Sequence, residues 1–175
     1  MDKLDIVTDE SGNEVVLLPE IIFSNKQNIN WNDVEDYLGK YVGELIEIAE
    51  TRDIIYIGNK FPDEYGGSSY TRKTKGARAK AKANAAQGIR EMVEIATDKV
   101  YRENHKEKHS EDAHNGWFYY VTRFAIPLYN NEKKTGEYNV YSACLVVNHA
   151  ANGKMYLYDV VGIKKEASNP LKSIK

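Results

Sequence analysis

Apolar residues recur along this chain with two different periods, and the change from one to the other divides it. From Trp31 onward, Val34, Tyr37, Leu38, Tyr41, Val42 and Leu45 repeat at spacings of three and four, which sets one stripe of a helix against a core. Asn30, with Asp33 three residues later, resembles a capping box at its start, and Gly43 marks its end. Residues 45–50 and 53–58 are β-rich runs separated by Thr51 and Arg52. They read as a hairpin, although neither linking residue favours the primed turn that so short a connection prefers. Residues 61–69, with Pro62 and the Gly66-Gly67 pair, read as loop. Ala77, Ala79, Ala81, Ala83, Ala85 and Ala86 predict a helix after it, with Gly88 as the stop. Residues 91–100 fit either period weakly and are assigned to strand, while residues 101–114 are polar and charged, a helix or a long loop.

In the last third the period shortens to two. Residues 117–129, 137–149 and 154–163 are rich in β-formers, joined by residues 130–136 and by a turn containing Asn152-Gly153, the strongest short hairpin signal. This predicts an antiparallel three-strand meander, and an α+β chain with helices early and sheet late. Alternation puts Phe118, Tyr120, Thr122, Phe124 and Ile126 on one face of the first strand and Trp117, Tyr119, Val121 and Arg123 on the other. Residues 1–28, with apolar runs at 14–18 and 20–23, read as an amino-terminal extension to a domain spanning 29–170, and 171–175 as a tail.

Composition narrows the class. A chain of 175 residues with 42% hydrophobic and 29% charged content fits one globular domain with a single core. The lone Cys144, in the apolar run 141–147, permits no disulfide framework; it reads as a buried small hydrophobe in a reducing compartment. No apolar stretch approaches the roughly 20 residues of a membrane span, and residues 1–5 lack the basic start and apolar run of a signal peptide. A cytoplasmic location with no membrane partner is expected.

Charge changes the picture most. The net charge is only -2, yet residues 1–69 hold 15 Asp/Glu against 5 Lys/Arg and residues 70–175 hold 11 against 19. Residues 71–90 carry seven Lys/Arg and no acid. A basic segment of this kind is the electrostatic footprint of a protein that meets nucleic acid, or else a solvated helix face. Arg72, Lys73, Lys75, Arg78, Lys80 and Lys82 are the candidate contacts. Lys75, Arg78 and Lys82 fall on one helical face, and Ala77, Ala81 and Ala85 on a second that can approach another element closely and leave the lysines reaching outward.

Arg123 projects beside Trp117 and Tyr119, a guanidinium among flat rings that suits phosphate and base contacts or simple packing. His105 and His109 stand four apart, but the pattern is not HExxH, no thiol is near, and Lys106 and Lys108 repel a cation; no metal or other cofactor is expected. A single histidine carrying a proton needs no such spacing.

Five blocks are familiar together: residues 30–44 (NWNDVEDYLGKYVGE), 61–71 (FPDEYGGSSYT), 76–89 (GARAKAKANAAQGI), 108–128 (KHSEDAHNGWFYYVTRFAIPL) and 153–166 (GKMYLYDVVGIKKE). In this order they resemble a phage and mobile-element domain classed with the barnase, EndoU, colicin and RelE-like nucleases, often fused into very large polyvalent proteins. The resemblance implies amino-terminal helices packed on a curved antiparallel sheet, and metal-independent RNA cleavage on that sheet. It gives His109 the role of general acid or base, Arg123 and Lys164 that of phosphate stabilisers, and Ser142 or Tyr120 that of hydrogen-bond donors, with Lys75, Lys80 and Lys82 on the substrate backbone. A rival from another class is a non-catalytic mobile-element protein, for example a counter-defence inhibitor of a host defence complex or a nucleic-acid-binding module that shields nucleic acid. Its acidic front, residues 1–69, would imitate a phosphate backbone.

Overall fold

Two short strands open the chain: β1 (Ile6–Thr8) and β2 (Glu14–Leu17) pair antiparallel, with Ile6 opposite Val16. The turn between them closes on Asp9, whose Oδ1 accepts from the backbone N–H groups of Ser11 and Asn13 at 2.9 Å, a local bond that Asp turns commonly use. The structure is a computed structural model and describes residues 3–24, 28–103, 115–166 and 171–172. α1 (Trp31–Leu38) starts where the sequence predicts, the Asn30 side chain accepting from the N–H groups of Asn32 and Asp33 and so satisfying donors that a helix start leaves open. A 3₁₀ turn (Gly39–Tyr41) follows, and the chain reverses at Gly43, whose φ of +93° suits glycine. β3 (Leu45–Glu47) and β4 (Ile54–Tyr56) form the expected hairpin.

Residues 61–69 are helical, against expectation. In α2 (Phe61–Gly67) Pro62 occupies the first turn, where its missing N–H costs nothing, and Asp63 and Glu64 sit at the positive end of the helix. Gly66 faces α1: a Cβ there would lie 2.5 Å from a Glu35 carboxylate oxygen, so the glycine lets two helices meet and breaks neither. α3 (Ser69–Lys73) is capped by the Ser68 hydroxyl, which accepts from the Thr71 N–H. α4 (Ala77–Ala85) runs through a 3₁₀ turn (Ala86–Gly88) straight into α5 (Ile89–Glu94). Gly88 therefore does not stop the helical path, and a helix replaces the first part of the strand expected over 91–100. The core decides this, because Ile89, Met92 and Val93 are buried together at helical spacing.

β5 (Thr97–Arg102) is followed by the meander of β6 (Trp117–Asn130), β7 (Lys133–His149) and β8 (Met155–Lys165), and by the two-residue β9 (Leu171–Lys172). The β6–β7 connection is Asn131-Glu132, both with positive φ (+49° and +69°), as a primed turn requires; it is shorter than the loop expected over 130–136. The strand order is β1-β2-β6-β7-β8-β4-β3, with β5 also on β6 and β9 on β7. β2 lies parallel on β6 and β4 parallel on β8, so an antiparallel centre carries parallel flanks and the α+β fold is built on a curled, mixed sheet.

The faces of β6 follow the alternation. Tyr120, Phe124 and Ile126 pack into the main core with Val34, Leu38, Met92 and Val93 of the helices, and the Thr122 hydroxyl donates to the Met92 carbonyl at 2.7 Å. The opposite face holds two small clusters of strand residues, one around Val15, Leu17 and Ala125 and one around Trp117 and Val146. Residues 3–24 are bonded into the body. Asn84 Oδ1 accepts from the N–H groups of Ile22 and Phe23, Gln87 donates to the Glu20 carbonyl, and a Glu91 carboxylate oxygen accepts from the Leu4 N–H. No helix among the described residues is long and apolar enough to cross a membrane.

Candidate functional site

Strand register brings three of the residues nominated from the sequence side by side. Arg123 of β6 is the partner of Ser142 in β7, and Ser142 is the partner of Lys164 in β8. Directly paired residues share a face, and strands lie about 4.8 Å apart, so the row spans roughly 10 Å. It crosses the face opposite the helices, between the two strand-only clusters. Arg123 has 20% of its side chain exposed, and its Nε donates to Glu166 Oε1 at 2.9 Å. Glu166 follows β8 directly and is held there by its own N–H, which donates to the Val140 carbonyl at 2.8 Å. The Ser142 hydroxyl lies 3.5 Å from the Lys164 carbonyl, and the Lys164 side chain is exposed.

On one side of the row come Val121 and Cys144, paired across the strands. Cys144 is half-buried, less enclosed than its apolar run suggests, and burial pushes its thiol pKa up. Beyond them Trp117, Tyr119 and Tyr158 gather around Val146 and Val161, and the Arg102 guanidinium lies 5.7 Å from the Tyr119 ring centre. The face therefore offers cations, a carboxylate, a hydroxyl and flat rings within one stretch of sheet.

Tyr120 is not part of this row. It points to the helix side, fully buried, and its hydroxyl donates to Asp53 Oδ2 at 2.8 Å. Burial, with Asp53 beside it, drives the phenol far above its ordinary range. Lys99 Nζ reaches the same Asp53 oxygen at 2.8 Å. Burial works against the Asp53 carboxylate, but the hydrogen bonds from Lys99, Thr51 and Tyr120 outweigh it and hold its pKa below the usual value.

Lys82 also departs from expectation. It does not reach outward: the side chain is 0% exposed, with Nζ 2.6 Å from both Asp159 Oδ1 and Thr71 Oγ1, under the rings of Tyr65 and Tyr70. α4 is buried from Ala79 round to Ala85, with only Lys80 half-exposed between them, because it lies between the sheet and the amino-terminal segment. A lysine on the sheet side must then find an acid within the core, and Asp159 supplies it. Arg72, Lys73, Lys75 and Arg78 are exposed and make a basic corner from the end of α3 to the start of α4. Arg72 Nε donates to the Gly67 carbonyl at 2.9 Å. The corner is tied to the row, since the Tyr70 hydroxyl accepts from the Ile163 N–H at 2.9 Å, one residue before Lys164.

His109, with His105 and His114, lies outside the described residues. Among the described residues no three His, Cys, Asp or Glu side chains gather as a metal site would require. Glu166 was missed in the sequence because one Glu after two lysines carries no spacing signal; only its bond to Arg123 singles it out. No family model, no curated protein and no solved structure matches this chain.

Proposed function

We propose that the open sheet face engages the phosphate backbone of RNA and cleaves it without a metal, by attack of a ribose 2′-hydroxyl on the adjacent phosphate. The observation that carries this reading is the cross-strand row Arg123–Ser142–Lys164 on the face the helices leave free. A guanidinium and an ammonium within about 10 Å neutralise a phosphate and the extra charge of its pentavalent state. Glu166, fixed against Arg123, takes the proton from the 2′-hydroxyl as its oxygen bonds to phosphorus. The 5′-oxygen then leaves with a proton from an acid, one of the two roles, acid or base, that the resemblance allows His109. The products are a 2′,3′-cyclic phosphate and a 5′-hydroxyl. The basic corner, tied to β8 through Tyr70, extends the cationic track beyond the row and supports a polymeric rather than a small anionic substrate.

The test is cleavage of single-stranded RNA in excess chelator by the wild type, Arg123→Ala and Glu166→Gln. Arg123→Ala is expected to weaken both binding and turnover. Glu166→Gln is expected to lower turnover by about 10² to 10⁴-fold with affinity kept or raised, because the neutral amide no longer competes for the guanidinium. RNA binding that depends on Arg123 without any cleavage product would leave a binding protein in place of a nuclease.

A further inference from the structure

Beyond the aromatic cluster, where α2 abuts the edge of the sheet, lies a cavity of about 260 Å³ between the end of β7, the start of β8 and the turn from β4 into α2. Asn148, in its wall, stands six residues along β7 from Ser142, or about 20 Å at the rise of a strand. Tyr156, Tyr158 and Phe61 supply rings to its walls, while Asn59, Asn148, Glu64 and Lys60 supply amides, a carboxylate and an ammonium. Tyr158 belongs to both regions. Its ring stands edge-on to Trp117, with centroids 5.0 Å apart, in the cluster that flanks the phosphate row.

Size and chemistry select the occupant. The volume falls just below the roughly 300–1,000 Å³ of sites for drug-sized ligands, so a single ring system fits. Aromatic walls favour a flat π-system, and amides beside a carboxylate favour one whose edge carries N–H donors next to acceptors. Unpaired nucleobases have this character and are read in this way, stacked on aromatic side chains and hydrogen-bonded along their edges. A carboxylate accepts from an exocyclic amino group, and an Asn amide can both donate and accept at adenine. Uracil offers Glu64 a single ring N–H between two carbonyls that would face its charge, a poorer match than an amino group.

We infer that this cavity is a nucleobase subsite, taking an amino-bearing base, adenine, cytosine or guanine before uracil, from the single strand whose phosphates cross the row. Glu64, Asn59 and Asn148 read the base edge, and Tyr156 and Tyr158 hold its plane. The inference rests on the proposed function for the path of the strand, but it needs no cleavage.

The experiment is fluorescence anisotropy with labelled hexamers of A, C and U, 2′-O-methylated to prevent cleavage, on the wild type, Glu64→Gln, Asn59→Ala and Arg123→Ala, each checked for an unchanged thermal transition. The wild type is expected to prefer the A and C hexamers over U by about fivefold or more. Glu64→Gln should erase most of that preference and leave U binding in place, whereas Arg123→Ala should weaken all three alike and keep the preference. Asn59→Ala, at the exposed rim, gives the same readout should Glu64→Gln disturb the fold. Equal affinity of the wild type for all three hexamers, or an equal loss for all three in both cavity variants, overturns the subsite. Binding of no hexamer at all sinks the proposed function instead. The cavity is then judged by adenosine alone, whose shifts of the Asn148 and Tyr158 amide signals at millimolar concentration would support it and whose absence would overturn it.

Discussion

Lys82 and Asp159 form an ion pair with 0% and 3% of their side chains exposed. Burial pushes the lysine pKa down and the aspartate pKa up, each opposed by the charge of the other. Taking both charges out of water offsets much of their attraction, so the pair adds little net stability while the loss of one member strands a charge in the core. Lys82→Met is therefore expected to cost about 3–5 kcal/mol in urea unfolding, and adding Asp159→Leu to recover most of it. A single-mutant cost below about 1 kcal/mol would mean that water reaches Asp159. The same position explains why one of the six basic residues read as outward-facing is a core residue: charge alone predicts exposure, and only the acid contributed by a strand 77 residues away makes burial possible.

At the scale of elements, Asp53 is a junction. It sits in the turn between β3 and β4 and holds Tyr120 of β6 and Lys99 of β5, so one carboxylate ties the end of the hairpin to two strands of the sheet. Its folded pKa is depressed below the ordinary aspartate value of 3.8. A depressed carboxylate stabilises the fold above the unfolded pKa, and that contribution disappears as pH falls through the folded value. Asp53→Asn should then lower stability by about 1–2 kcal/mol at neutral pH and by much less near pH 2, measured as the gap between unfolding midpoints of mutant and wild type. A gap of constant size would assign the loss to packing rather than charge. Elements with long periodic signals were legible in the sequence. α1, the β3–β4 hairpin, α4 and the meander stand where residue patterns put them, and the inward set on β6 is the expected one. Residues 61–69 were not, because Pro62 starts a helix with the same chemistry that ends one, and the close approach that Gly66 serves belongs to Glu35 on another helix. The candidate site was legible as single residues and not as a site. Arg123, Ser142 and Lys164 meet only through a register with irregularities between Ser142 and Cys144 and between Val146 and Val147, and one residue of slip would turn a side chain to the other face.

Across the whole molecule the charge is divided, net -10 over residues 1–69 and net +8 over residues 70–175. Among the basic residues singled out in residues 71–90, Arg72, Lys73, Lys75 and Arg78 are exposed, whereas Lys82 is neutralised by Asp159. If the corner binds phosphates, Lys73→Ala with Lys75→Ala should reduce the slope of log affinity against log salt by about 1.4 for single-stranded RNA, roughly 0.7 for each phosphate no longer neutralised, with the fold intact. An unchanged slope in that double mutant would make the corner solvated surface and confine the interface to the sheet.

The parallel seating of β2 on β6 carries a consequence in time. Val16 meets Phe124, 108 residues further along the chain, and Ile55 meets Met155, 100 residues further. A ribosome adding about 5–20 residues per second therefore releases the run Val15–Leu18, every member of it buried in the finished protein, about 5–20 s before its partner strand exists. Each newly made copy carries an apolar strand with one edge uncovered through that interval. Apolar surface left waiting in this way is the kind that chaperones cover during synthesis.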